Sequence, residues 1–236
     1  MAKAQKEDLN LYLTNYTNFN DWLIRQRYEL LKKYFKGTTC LEFGPANGEG
    51  TEYLLKHFDK VVAVDGSQAM IKALKKRFAG KNLKTVHGYF ENVKLTEKYD
   101  TVVLAHILEH VDDPQAVLAN AKKYVKPGGV MIIDVPNGLS LHRQVGVKMG
   151  LLRKPTELND ADYSIGHKRV YTPLTFKNEI IQAGLKVKKF GGVFIKILSN
   201  AQTEKVFNDA QLSALLAIGE DYPEIAAEIY IIAKKQ

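Results

Sequence analysis

The chain has 236 residues, a net charge of +8 and 45% hydrophobic residues, an ordinary globular composition that excludes collagenous, low-complexity and globally disordered proteins. Its single cysteine, Cys40, excludes an internal disulfide framework and a multi-cysteine zinc module. No apolar run reaches the roughly 18 residues of a membrane span, and the polar start MAKAQKEDLN lacks the apolar core of a signal peptide, so a cytoplasmic protein is expected.

Two amphipathic stretches open the chain, Lys6 to Asn15 and Asn20 to Phe35, with Asn15 to Asn20 as a polar connector. In the second, Trp22, Leu23, Leu30, Leu31, Tyr34 and Phe35 form an apolar stripe at helical spacing. From Thr38 short apolar strands alternate with helices. The expected strands are Thr38 to Phe43, Lys60 to Asp65, Leu83 to His87, Tyr99 to Ala105 and Val130 to Val135. Gly50 to His57, Ser67 to Phe78 and Pro114 to Tyr124 carry helical spacing, the last with Pro114 in its first turn and Asp112 or Asp113 as its cap. Lys126-Pro-Gly-Gly129 is expected to be a turn before the next strand. Such repeated strand–helix units predict a parallel sheet covered on both faces.

Residues 138 to 166 break the rhythm with mixed basic, acidic and small residues, as lids and binding loops do. A helix at Pro173 to Gly184 and a strand at Leu185 to Phe190 follow. A second interruption, 193 to 222, holds a helix around Asp209 to Ile218, and Glu224 to Lys234 suits a last strand. One domain spans 1–236 on this pattern: helices to 36, a ligand-binding core over 37–137, an inserted lid over 138–172, and the remainder of the sheet over 173–236.

The strongest local signal is Cys40-Leu-Glu-Phe-Gly-Pro-Ala-Asn-Gly-Glu-Gly50, between a strand end and a helix. Gly44 and Gly48 allow backbone conformations closed to other residues and let a ligand approach. Glu42 stands where the strand stops, and Asp65 ends the second strand about 20 residues on, where an acid can accept hydrogen bonds from ribose hydroxyls.

Together these residues resemble the class I S-adenosylmethionine-dependent methyltransferases. The resemblance runs from about Thr38 to Asn137. The family's acidic-x-Gly-x-Gly-x-Gly loop corresponds to Glu42-Phe43-Gly44-Pro45-Ala46-Asn47-Gly48, with Ala46 at the middle glycine. The resemblance implies a Rossmann-like α/β fold, mostly parallel with a C-terminal antiparallel strand, and S-adenosyl-L-methionine as cofactor with S-adenosyl-L-homocysteine as product. It places Asp65 and Gly66 at the ribose and Met70 beside the adenine. Gly88-Tyr89-Phe90-Glu91 stands where the family often has Gly-Asp, so Tyr89 replaces that acid and Phe90 becomes an adenine contact. Ala105 borders the cofactor. The segment Tyr99 to Pro114, containing Ala-His-Ile-Leu-Glu-His, is similar to small-molecule methyltransferases of ubiquinone and natural-product pathways, and Lys126-Pro-Gly-Gly129 is a further family landmark. The (Asp/Asn)-Pro-Pro-(Tyr/Phe) tetrapeptide of nucleic-acid amino-methyltransferases is absent after the fourth strand.

His106 is the first expected general base, followed by His167; His110, His142, Arg143, Arg169 and Tyr171 are expected around the acceptor. Gly166-His-Lys-Arg-Val-Tyr-Thr172 is similar to a substrate-side segment of related methyltransferases. The insertion and its exit carry His142, Arg143, Lys148, Arg153, Lys154, His167, Lys168 and Arg169 against Glu157, Asp160 and Asp162, which favours an anionic or sugar-like metabolite, methylated on oxygen. Elsewhere the lysines are scattered over polar helix faces, which argues against a nucleic-acid groove. The alternatives are an RNA or protein methyltransferase using the basic surface, and a cofactor-binding scaffold without activity. His106-x-x-Glu109-His110 also matches the inverted zinc-protease motif. That motif needs a helix, and Asp112-Asp113-Pro114 interrupts one, so no metal is expected.

Overall fold

A computed structural model describes residues 18–235. The expected helix at Lys6 to Asn15 lies outside the described residues. The next, α1 (Asn18–Leu31), begins within the expected connector and ends in a 3-10 turn at Lys32–Tyr34. It buries Leu23, Leu30 and Leu31, as its stripe requires.

Seven strands form one sheet in the order β3-β2-β1-β4-β5-β7-β6. They are β1 (Thr39–Phe43), β2 (Lys60–Asp65), β3 (Leu83–His87), β4 (Tyr99–Ala105), β5 (Val125–Pro136), β6 (Leu185–Val193) and β7 (Glu228–Lys235). The first five pair in parallel, and β7 runs antiparallel between β5 and β6. Strand order reverses between β1 and β4, so a crevice opens beyond their carboxyl ends, where open α/β sheets bind ligands.

The helices α2 (Glu49–Leu55), α3 (Gln68–Arg77) and α4 (Pro114–Lys123) connect these strands. Asp113 caps α4 by accepting from the Ala116 amide, with Pro114 in the first turn. Residues 138–172 hold α5 (Leu141–Lys148) and α6 (Asp160–Ser164) as a lid-like insertion. After α7 (Pro173–Gln182) and β6, the second interruption folds as α8 (Asn200–Val206) and α9 (Asp209–Asp221). No helix among the described residues is long and apolar enough to cross a membrane.

The Lys-Pro-Gly-Gly segment departs from expectation, because strand continues on both sides of it. Tyr99 pairs with Val125 and Thr101 with Val130, so residues 126–129 bulge opposite Asp100. Lys126 Nζ binds Asp100 Oδ2 at 2.9 Å, and the bulge turns through Gly128 at φ +79°.

Strand alternation divides the core between the two faces. Leu41, Phe43, Val62 and Leu104 pack on one side, while Cys40, Val61, Val103, Ile132 and Tyr230 pack on the other beneath α1. Glu42, Asp134 and Glu228 share the second face by the same alternation, so three acids are carried under the amino-terminal helix.

Candidate active site

The β1–α2 loop is built from left-handed backbone: Gly44, Ala46 and Gly48 have φ of +69°, +46° and +90°. Ala46 therefore adopts a conformation that L-residues visit at a cost of about 1–2 kcal/mol. The Gly44 amide donates to Val64 O at 2.9 Å, and Gly48 closes the loop onto Pro45 O at 2.8 Å. A Cβ at Gly44 would collide with Ile107 and approach the Phe90 ring, so this position faces the crevice. A Cβ at Gly48 would instead meet the Phe78 ring at 2.8 Å. Its glycine serves the turn and packing on α3 rather than ligand approach.

Glu42 faces the inner layer. Thr51 Oγ1 donates to its Oε2 at 2.6 Å and Tyr28 Oη to its Oε1 at 3.2 Å. Burial pushes its pKa up to about 7 against the pull of those two donors. Its carboxylate thus supports the loop from below. Asp65 ends β2 beside the loop, since Phe43 pairs with Val64, and its Oδ1 accepts from the Ser67 amide at 2.7 Å. Ser67 caps α3 and positions the buried Met70. Tyr89 is exposed and borders Gly66, whereas Phe90 packs edge-on against Phe43 at 5.8 Å. Ala105 closes the crevice at the end of β4. Glycine-lined backbone, a carboxylate at the β2 edge and a neighbouring aromatic ring fit the adenosyl group that the sequence resemblance implies.

His106, directly after β4, has φ +53°, a strained conformation that turns its ring out of the strand direction. Its amide is held by Asp134 O at 3.0 Å. Its Nδ1 stands 3.4 Å from Glu109, and its Nε2 stands 3.4 Å from Asp134 and 3.3 Å from Glu228. The ring keeps 29% of its surface exposed. Arg27 on α1 binds Glu228 through Nε and Nη2 at 2.8 and 2.7 Å and reaches Asp134 at 3.3 Å. Burial and Arg27 oppose protonation of His106, yet Glu228 and Glu109 outweigh them and hold its pKa above the ordinary value. Burial raises the pKa of Asp134 and Glu109. Glu228 remains strongly acidic although buried, because Arg27 and His106 lie beside it. The arrangement can accept a proton and stabilise the resulting imidazolium.

The insertion residues divide differently from expectation. Buried His167 hydrogen-bonds through Nδ1 to Asp162 at 3.1 Å and meets His110 edge-on at 4.7 Å. Burial lowers the pKa of His110 to about 3, as it does that of His142. Arg143 and Arg169, expected to grip an acceptor anion, are engaged by the protein itself. Arg143 binds Asp162 at 3.0 Å, Pro155 O at 2.5 Å and Glu157 O; Arg169 binds Leu108 O, Val111 O and Asp112 O. Both arginines fasten loops whose carbonyls lack helix or strand partners. Tyr171, expected at the acceptor, is buried in the core against Phe176, and its hydroxyl donates to Glu179 at 3.3 Å.

Arg27, Asp134, Glu228 and Lys196 were not among the expected site residues. The first three had a signal: Asp134 interrupts Val-Met-Ile-Ile, Glu228 precedes Ile-Tyr-Ile-Ile, and Arg27 lies in an amphipathic helix. Charges within buried runs need partners. Lys196 follows Phe194, another left-handed residue at φ +61°. Burial depresses its pKa, with Glu228 opposing the shift, and its Nζ donates to Asn200 Oδ1 at 3.0 Å.

The family described as "Methyltransferase domain" matches residues 17–189, well over half of the chain. Ubiquinone biosynthesis O-methyltransferase of Coxiella burnetii is 29% identical over 118 residues, covering 48% of this chain and 50% of that protein. Cypemycin N-terminal methyltransferase from Streptomyces sp. is 23% identical over 140 residues, covering 58% and 53%. The chain thus spans about half the length of these relatives. Among solved structures, a SAM-dependent methyltransferase from Archaeoglobus fulgidus superposes with a TM-score of 0.61 at 21% identity, over 91% of this chain and 94% of that one.

Proposed function

The chain belongs to the methyltransferase-domain family of class I, S-adenosylmethionine-dependent type, and on that premise we propose that it methylates a hydroxyl group of a small organic metabolite. When bound, S-adenosyl-L-methionine supplies an electrophilic sulfonium methyl group and leaves as S-adenosyl-L-homocysteine. Gly44 and Ala46 line its approach, Asp65 receives the ribose hydroxyls, and Met70 and Phe90 flank the adenine. Tyr89, at the rim, covers the same end.

His106 carries the reading. It leaves β4 beside Gly44, so a group held at its imidazole stands next to the cofactor loop. The ring takes the acceptor proton at a nitrogen, and the carboxylates around it stabilise the charge formed. The insertion with His142 and His167 closes over the acceptor, excludes water and orients the nucleophile. The arginines of the insertion no longer motivate an anionic acceptor, because their donors serve the loop; an acceptor anion would be met by Lys196 instead.

A second reading, transfer to an amine, is favoured by the three carboxylates around His106, Glu109, Asp134 and Glu228, which suit a cationic acceptor. The deciding experiment incubates the protein with S-adenosyl-L-methionine carrying a labelled methyl group and a panel of phenolic, sugar and amine metabolites. Mass spectrometry should find the label on oxygen of one acceptor class. Label on nitrogen selects the second reading. Tight S-adenosyl-L-homocysteine binding without turnover across the panel would leave a cofactor-binding scaffold.

A further inference from the structure

Glu109 and His110, in the turn after β4, converge on His167, where the insertion returns to the core. One donor atom from each lies within 4.8 Å of the others. Glu109 is only 1% exposed, and neither of its carboxylate oxygens accepts a hydrogen bond from another described residue. His106 Nδ1, at 3.4 Å, is near one oxygen without hydrogen-bond geometry. A desolvated carboxylate in that state is costly unless a cation meets it.

His167 is oriented from behind. Its Nδ1 is held by Asp162, and Arg143 holds Asp162 in turn at 3.0 Å. His110 Nδ1 lies beside Gly166, the residue before His167, 3.8 Å from where a Cβ there would stand. A carboxylate partner on one ring nitrogen, leaving the other for the ion, is the usual outer support of a metal-ligating imidazole.

We propose that Glu109, His110 and His167 form a divalent-cation site, best matched to zinc, that latches the insertion onto the turn after β4. Two imidazoles and one carboxylate form a donor set suited to zinc, whereas magnesium and calcium favour oxygen-only shells. Three protein ligands leave a position for water or an acceptor oxygen. The latch joins segments already in register, since the Lys168 amide donates to Glu109 O at 2.8 Å. A second trio, His106, Asp134 and Glu228, is the poorer cation site because the Arg27 guanidinium already stands against both of its carboxylates, at 3.3 and 2.7 Å. The structure also separates the two histidines of the His106-x-x-Glu109-His110 motif. His106 faces Asp134 and Glu228, while His110 faces His167, so the site is unlike the helical arrangement that the motif suggests. The inference does not rest on methyl transfer.

The test titrates chelator-stripped full-length protein with Zn²⁺ against a chromophoric zinc chelator, with Co²⁺ absorption and thermal melting as parallel readouts. One zinc per chain is expected, with Kd below about 1 μM, intense four-coordinate cobalt bands and a higher Tm. His110→Asn, His167→Asn and the isosteric Glu109→Gln should each weaken zinc by about 100-fold or more. His57→Asn and His87→Asn should not. Circular dichroism establishes which variants fold; if either histidine variant does not, Glu109→Gln and the parent's zinc-dependent Tm decide. Absence of zinc binding tighter than about 10 μM in the parent overturns the proposal. So does binding unaffected by Glu109→Gln, or binding lost only with His106→Asn.

Discussion

Arg27 of α1 and Glu228 of β7 are joined by two nearly parallel hydrogen bonds, 2.8 and 2.7 Å long, across 201 residues of chain. Both side chains are buried, and the pair closes the amino-terminal helix over the strand ends where His106 stands. Two-pronged arginine–carboxylate geometry combines charge with orientation, so this contact fixes α1 relative to the site. Removing one partner leaves a charge in a dry environment.

Arg27→Ala should therefore destabilise the protein by about 3–5 kcal/mol. Denaturant unfolding monitored by circular dichroism checks this. Arg27→Lys should recover only part of the loss, because an ammonium cannot make both bonds. A loss below about 1 kcal/mol for the alanine variant would show that the pair contributes little.

For the cofactor, Asp65→Ala is expected to weaken S-adenosyl-L-homocysteine by about 10–100-fold, the range for losing hydrogen bonds to a charged group. Gly44→Ala should weaken it as well, since the new methyl collides with Ile107 beside Phe90. Gly48→Val tests something else: its branched side chain meets Phe78, so it should lower Tm first. Calorimetry on folded variants separates these effects, and unchanged affinity in both Asp65→Ala and Gly44→Ala would remove the loop from the cofactor site.

With an acceptor identified, His106→Gln should lower kcat by about 10² to 10⁴ while cofactor affinity stays within a few-fold. Single-turnover rates measure this directly. Near-normal turnover would make His106 a structural residue and move attention to His167.

Asp100 supplies a pH test away from the site. Its Oδ2 accepts from the Thr38 and Thr39 amides, Thr39 Oγ1 and Lys126 Nζ. Burial opposes ionisation, but these donors bring its pKa down to about 2 from 3.8. A folded pKa below the unfolded one stabilises the protein above about pH 4, and this contribution disappears as pH falls through about 2. Asp100→Asn should lose about 1–2 kcal/mol at pH 7, allowing for solvent screening, and less near pH 2. Urea unfolding at pH 7 and pH 3 checks the convergence.

Arg143→Gln should loosen the insertion, because Asp162, Pro155 O and Glu157 O lose their shared donor. Faster hydrogen exchange over 153–167, with the sheet unchanged, is the expected signature. A raised KM for an anionic acceptor with unaltered exchange would return Arg143 to substrate binding.

Local sequence determined most of the sheet and the left-handed loop between β1 and α2. Apolar runs with ordinary turn chemistry located β2, β3 and β4 at their observed bounds; β2 and β4 are buried on both faces and tolerate few charges, whereas β3 is a half-exposed edge strand that carries Lys84 and His87. Gly44 and Gly48 as left-handed turn residues, and Asp65 as the acid that ends β2, were legible because tight turns and strand ends depend on nearest neighbours. The Lys126–Gly129 bulge was not, since it is set by Asp100 on the adjacent strand.

Tertiary structure alone decided the charge partners. Arg143 and Arg169 looked like anion grips from the basic balance of the insertion, but folding placed unpaired carbonyls and Asp162 within their reach. Tyr171 looked like a substrate contact until its ring entered the core beside Phe176. Conversely, Arg27, His106, Asp134 and Glu228 come from four distant segments, and no spacing rule links them. Sequence encodes which side of a strand an acid occupies through a period of two residues. Which cation meets it depends on sheet order and helix packing, and those are properties of the whole fold.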